Sequence, residues 1–258
     1  MTIHRIRAIN TATDSENKIH DDRVAAAYGF QRGLVPGVTV YGYMTVPVLE
    51  HFGEEWLDYG SISVRFREPV YDGEEVRIEG GCDENGRFQV ALEGDRATAI
   101  AWIDRLSGMP GVDTYATRPM PPADLRPAAS HDTLAPGVVL GTLDTTLNLA
   151  ETGISAPLPA AIGERRAAHP AVLLSLANEI LLKNVSLGPW IHAGSDVTNF
   201  SAARDGDVLE VRGKVSAQFE RKGHEFVVLD IVTATSERLV QHVRHTAIWR
   251  PRPMEAIA

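Results

Sequence analysis

The chain reads as an α+β protein made of two similar units, each an antiparallel sheet wrapped around one buried helix. Two observations predict this. An apolar segment of helical length, introduced by Pro36-Gly37, is followed by stretches in which apolar and polar residues alternate. The same succession returns 134 residues later, matching Pro36 to Pro170, Trp56 to Trp190, Gly60-Ser61 to Gly194-Ser195 and Phe66 to Phe200. Self-similarity at a fixed spacing marks one structural unit used twice.

In chain order, residues 2–10 set Ile3, Ile6 and Ala8 against His4, Arg5 and Arg7, as an opening strand does. A polar loop follows, then a short helix near 22–28 that Asp22 is expected to cap, since an aspartate accepts from the free amides of a first turn. Residues 36–52 are apolar on nearly every side, so a helix there must be enclosed by other structure. Proline at its start is favourable, because the missing N–H would be unpaired anyway. Gly42 and Pro47 within it predict a kink or an early end.

After Trp56 the period becomes two. Residues 61–66, 76–78, 88–92 and 98–103 read as strands, with Asp72-Gly73 and Asn85-Gly86 as turns. Residues 106–136 hold six of the 15 prolines and no periodic pattern. They read as a surface linker between a unit at 1–105 and a unit at 137–258. A second apolar helix, 170–186, with His169 placed to cap it, again precedes four alternating segments. Asn178-Glu179 interrupt that helix. A buried glutamate is costly unless paired, so the pair is expected at a sheet edge or facing a cavity.

Composition narrows the function classes. The formal charge of -9 and pI ≈ 5.5 disfavour nucleic acid and anionic membranes as partners. A single cysteine, Cys82, allows no internal disulfide, and the start MTIHRIRAIN lacks the apolar core of a signal peptide. No apolar run approaches the ~18 residues of a membrane span. A cytoplasmic protein is the expectation. No Gly-x-Ser-x-Gly, phosphate-binding loop, dinucleotide-binding glycine run or Cys-x-x-Cys is present. His242 and His245 stand three apart in a strand pattern and face opposite ways, so no shared metal is expected.

Chemistry concentrates in residues 13–49. Asp14, Glu16, His20, Asp21 and Asp22 lie just before the apolar helix, whose first amides are free. That layout suits holding a carbonyl oxygen while a histidine handles a proton. The stretch resembles the motif of the MaoC-like, R-specific enoyl-CoA hydratases. Their loop reads Asp-x-Asn-Pro-(Leu/Ile)-His-x-Asp, then Ala, then Gly-Phe, then (Ile/Val)-x-His-Gly-Met. Here Asn17, Ile19, His20, Asp22, Ala25, Gly29-Phe30 and Leu34-Val35-Pro36-Gly37 fall in register. Lys18 replaces the Pro, Pro36 the His, and Ser15 stands where the family has its catalytic Asp.

The resemblance implies a double hot-dog fold: two fused units, one antiparallel sheet and two central helices. It implies hydration or dehydration of an acyl thioester carried by coenzyme A or an acyl carrier, with no cofactor, and a possible homodimer. His20 would be the base, Asn17 would hold the loop, and Asp14 or Glu16, flanking Ser15, would supply a carboxylate. Gly37 would donate to the thioester oxygen, with Val38 and Tyr41 as further substrate-binding candidates. Residues 144–158, at the corresponding place in the second unit, contain no histidine, so that unit is expected to be structural. A thioesterase on the same fold and a silent acyl-binding or structural subunit are the alternatives.

Overall fold

The computed structural model describes residues 1–105, 108, 110–151, 157 and 166–253. The first unit runs β1 (Thr2–Arg7), α1 (Asp22–Ala27), α2 (Gly37–Phe52), α3 (Glu55–Tyr59), β2 (Gly60–Phe66), β3 (Glu75–Cys82), β4 (Phe88–Leu92) and β5 (Ala97–Ile103). The second runs β6 (Leu143–Thr146), α4 (Pro170–Asn184), β7 (Ile191–Asn199), β8 (Val208–Arg221), β9 (His224–Ala234) and β10 (Leu239–Arg250). The strands form one antiparallel sheet in the order β1-β3-β4-β5-β2-β7-β10-β9-β8-β6. Each half repeats the other's order outward from the β2–β7 junction.

The register at that junction carries the symmetry. Ser61 pairs with Thr198 and Val64 with Ser195. The repeat maps 61 onto 195 and 64 onto 198, so each pair is the other's counterpart. Two units related by a two-fold axis meet in this way. Ile62, Val64 and Val197 point into the core from the junction, while Ser63 Oγ donates to Asp196 Oδ1 (2.7 Å) on the other face.

α2 and α4 lie against each other inside the sheet. Every residue from Val38 to Leu49 is buried, as the all-round apolar pattern requires. One apolar cluster spans both units, from Tyr41 and Met44 through Leu174 and Ile180 to Val215 and Leu229. Burying each such side chain contributes roughly 1.5–3 kcal/mol, so the two units stabilise each other through a common core.

α2 does not end at Pro47; it continues to Phe52. The surrounding sheet fixes the chain on both sides of the proline, and packing overrides the lost hydrogen bond. The contact there is tight. A Cβ on Gly80 of β3 would lie 2.9 Å from Pro47 Cβ and 2.8 Å from Phe88 Cζ. The proline-rich crossing packs on the second unit at several points. Leu134 is fully buried, Tyr115 Oη donates to Asp230 Oδ1 (2.9 Å), and Ala128 bridges to Ser186. Among the described residues no helix is long and apolar enough to cross a membrane.

Gly80→Ala should therefore overpack this contact and destabilise the protein by about 1–3 kcal/mol. A lowered urea midpoint at unchanged slope is the expected result.

Candidate active site

The loop between β1 and α2 is folded by its own short polar side chains. Asn10 donates through Nδ2 to His20 O (3.0 Å), and its N–H donates to Asp72 Oδ1 (2.8 Å). Asp21, rather than Asp22, caps α1, with Oδ1 accepting from the amides of Arg23 (2.9 Å) and Val24 (3.1 Å). Asp22 already lies in the helix, so its carboxylate is free to accept from Gly33 N–H (2.8 Å) and tie the loop's ends together. Gly33 passes so close that a Cβ would fall 2.0 Å from His20 O. Only glycine allows that approach.

Asn17 uses its whole carboxamide. Oδ1 accepts from Trp190 N–H (3.1 Å) and Ile19 N–H (3.3 Å). Nδ2 donates to Trp190 O (3.0 Å) and to His20 Nε2 (3.3 Å). The side chain thus clamps the first unit's loop onto the backbone leading into β7 of the second unit. His20 Nδ1 lies 2.7 Å from Leu34 O. A carbonyl can only accept, so Nδ1 carries the proton and Nε2 presents a lone pair. Burial pushes the imidazole's pKa below its usual value, against the opposing effect of the Leu34 bond.

Asn17 and His20 line a cavity of about 250 Å³ between the two units. Its walls also include Pro36 and Gly37 at the start of α2, Phe66 to Val70, Asn178 of α4 and Trp190 to Ala193. Gly37 belongs to the first helical turn, where amides have no intrahelical acceptor. The site therefore joins a neutral imidazole, the helix-start amide of Gly37 and largely apolar walls.

The other candidates separate from this group. Glu16 turns away and forms an ion pair with Arg126 of the crossing (3.0 Å); the Arg126 hydrogen bond and charge hold its carboxyl below the usual range. Asp14 is exposed, and Ser15 Oγ donates to Asn17 O (3.0 Å). None of these three lines the cavity; the carboxylate that does, Glu68, is exposed at its rim. Val38 and Tyr41 are buried in the core outside the lining, and burial drives the Tyr41 phenol pKa up. In the second helix, Asn178 faces the cavity while Glu179 reaches Lys183 (3.1 Å). Of the candidate loop in the second unit, residues 152–156 and 158 lie outside the described residues.

The structure adds a histidine. His192, on β7, is buried and lines the cavity. Its Nε2 lies 2.8 Å from Ser195 Oγ, which lies 3.1 Å from Nδ1 of the buried His245. Residues three apart in a regular strand face opposite ways. Here the ladder with β10 shifts register between His192 and Gly194, so both His192 and Ser195 turn inward. Gly194 inside the strand is the one sequence sign of that bulge. His242, by contrast, faces outward to Asp230 (2.6 Å), away from His245. Among the described residues no group of three or more histidine, cysteine or acidic side chains could hold a metal.

No protein-family model matches the sequence, and no curated protein matches it. Solved structures do match in shape. A protein assigned as a MaoC domain dehydratase from Chloroflexus aurantiacus has a TM-score of 0.58 at 13% identity, over 96% of this chain and 93% of its own. A conserved protein from Mycobacterium tuberculosis described as having a double hot-dog fold has a TM-score of 0.58 at 13% identity, over 96% and 95%. The fold is a double hot dog. A protein assigned as a thioesterase from Novosphingobium aromaticivorans is similar over 84% of this chain and 88% of its own, with a TM-score of 0.52 at 15% identity. At such identities the likeness concerns the fold. The hot-dog arrangement accounts for the cavity's position, where the start of one central helix meets a strand of the other unit.

Two outcomes follow. Asn17→Ala leaves the buried N–H and carbonyl of Trp190 without partners, a loss of roughly 2–4 kcal/mol; chemical denaturation reads it. Acid should also destabilise the fold through its buried histidines. Burial lowers the pKa of His169 to about 4, of His245 to about 3, and of His192 well below the usual value. Their folded pKa values lie below the unfolded one, so the stability is complete above pH ~6.5 and is lost as pH falls toward 4 and 3. The unfolding free energy from denaturant titrations should drop as pH falls below ~6.5, by about 1.4 kcal/mol per pH unit for each histidine titrating only in the unfolded chain.

Proposed function

We propose that this protein adds water across, or removes it from, the double bond of an enoyl thioester, with His20 as the one group that moves the proton. The observation that carries the reading is the His20 Nδ1–Leu34 O bond. It fixes the tautomer with the basic Nε2 in a cavity that also holds the first turn of α2. A neutral imidazole with a lowered pKa is available as a base at neutral pH.

The steps balance with that single base. Nε2 takes a proton from water as the water oxygen bonds to the β-carbon. The π electrons shift to form an enolate whose charge rests on the thioester oxygen. The Gly37 amide, reinforced by the helix dipole, is placed to stabilise it. The imidazolium then returns the proton to the α-carbon. Nε2 has one lone pair, so the water displaces the Asn17 Nδ2 hydrogen bond (3.3 Å) from it, while Asn17 keeps the loop on Trp190. Coenzyme A or an acyl-carrier prosthetic group is the handle of the substrate. No separate cofactor is needed.

Thioester hydrolysis is the second reading. It is favoured by the missing carboxylate partner and by the likeness to a protein assigned as a thioesterase. The two reactions differ in what they release. With crotonyl-coenzyme A, hydration removes enoyl absorbance and frees no thiol, whereas hydrolysis frees thiol. His20→Ala should lower hydration turnover by about 10²–10⁴-fold with little change in thioester binding. Thiol release as the main reaction, or equal turnover by His20→Ala and the wild type, would overturn the reading.

A further inference from the structure

We propose that His192 is a second donor to the substrate carbonyl, a catalytic residue that enters the site from the opposite unit. Its Nδ1–H would point at the thioester oxygen beside the Gly37 amide. The proposal rests on the thioester reading above.

Three observations carry it. First, Nδ1 of His192 is buried and has no hydrogen-bond partner, although the ring borders the cavity. A buried polar atom left unpaired costs roughly 1–3 kcal/mol; of the three such atoms on cavity-lining residues, Asn178 Oδ1, Trp190 Nε1 and His192 Nδ1, only the last lies against Gly37 at the start of α2. An unpaired atom in such a place is a position for a ligand. Second, the atom lies at the first turn of α2. A Cβ on Gly37 would fall 2.9 Å from His192 Nδ1 and 2.9 Å from His192 Cβ. The bare Gly37 therefore leaves room for both the helix-start amide and the imidazole to reach one acceptor. Third, the ring is held from behind. Ser195 Oγ bridges His192 Nε2 (2.8 Å) and His245 Nδ1 (3.1 Å), and Phe66 packs edge-on against it at 4.9 Å between centroids.

The chain of three side chains also sets the tautomer. Ser195 has one hydroxyl proton, so it donates to one ring and accepts from the other. If it donates to His192 Nε2, the His192 proton sits on Nδ1 and faces the cavity. In the reverse arrangement Nδ1 offers only a lone pair, which a carbonyl oxygen cannot use. Bound thioester selects the first arrangement. Charging the ring is opposed by burial and by the adjacent His245, against the smaller opposite effect of the Gly194 carbonyl, so His192 acts as a neutral donor. Gly37 and His192 then form a two-donor hole for the enolate oxygen, fixed before substrate arrives. Ser195 and His245 are positioning residues.

The test uses the full-length protein and crotonyl-coenzyme A. His192→Leu removes the donor and leaves an apolar group in an apolar wall. It should lower kcat by about 10²–10³-fold, the usual effect of losing one such donor, with KM changed less than about threefold. His192→Asn places an amide N–H close to the old Nδ1 and should recover at least about tenfold of that loss. Equal kcat for the wild type, His192→Leu and His192→Asn overturns the proposal while leaving the hydratase reading intact. A second measurement needs no variant. On binding butyryl-coenzyme A, which has no double bond to hydrate, the ¹⁵N signals of His192 in the wild-type protein should become those of an Nδ1–H tautomer. The thioester carbonyl stretch should fall to lower frequency. An Nε2–H tautomer in the complex overturns the proposal. A wild-type protein that neither binds nor polarises the thioester overturns both this proposal and the reading beneath it.

Discussion

The site depends on one carboxamide. Asn17 is nearly fully buried and sits where a loop of the first unit meets the strand entry of the second. Its Oδ1 and Nδ2 pair with the N–H and carbonyl of Trp190 as a neighbouring strand would. The remaining acceptor and donor go to Ile19 N–H and His20 Nε2. No other side chain of this length supplies two donors and an acceptor in that fork. An aspartate would set an oxygen, in place of Nδ2, against both the Trp190 carbonyl and the imidazole lone pair. Through this residue the position of His20 is tied to the backbone leading into β7, although the sequence of the second unit does not repeat the loop.

Burial then decides what chemistry is open. Away from water, the uncharged form of an imidazole is favoured, and His20, His169, His192 and His245 all have lowered pKa values for that reason. Among them His20 combines cavity access with a fixed tautomer whose lone pair can accept a proton. Glu16 is occupied by Arg126, and Asp14 and Ser15 lie outside the cavity lining. In the proposed reaction the proton therefore has one carrier, and the negative charge of the enolate must be met by neutral donors. Those are what the start of α2 offers.

Much of the fold was legible because its signals are periodic. The apolar segment after Pro36, the alternation after Trp56 and the recurrence at Pro170 and Trp190 each reflect burial on a fixed geometry. Asn17 and His20 were legible through their spacing in a recognisable loop. What was not legible depends on contacts distant in sequence or on single-residue shifts. Glu16 is removed from the site by Arg126, 110 positions away in a proline-rich crossing. Pro47 is tolerated because β3 packs over it at Gly80. Asp21 takes the capping role that spacing gave to Asp22. His192 was hidden by a bulge, since strand alternation sends residues three apart to opposite faces and here the shifted register turns both inward.

A single proton carrier has a stereochemical signature, and that gives the most direct test of the account. The base that deprotonates water lies on one face of the substrate and returns the proton to the same face. Hydration of trans-crotonyl thioester in D₂O should place deuterium and hydroxyl on the same side of the former double bond. The proton coupling constant between the α and β positions of the 3-hydroxybutyryl product reports this. Syn addition is the predicted result. Anti addition would contradict the account, because it requires a second acid to deliver the proton to the α-carbon, a role given to none of the other titratable lining groups, His192, His224 and the exposed Glu68.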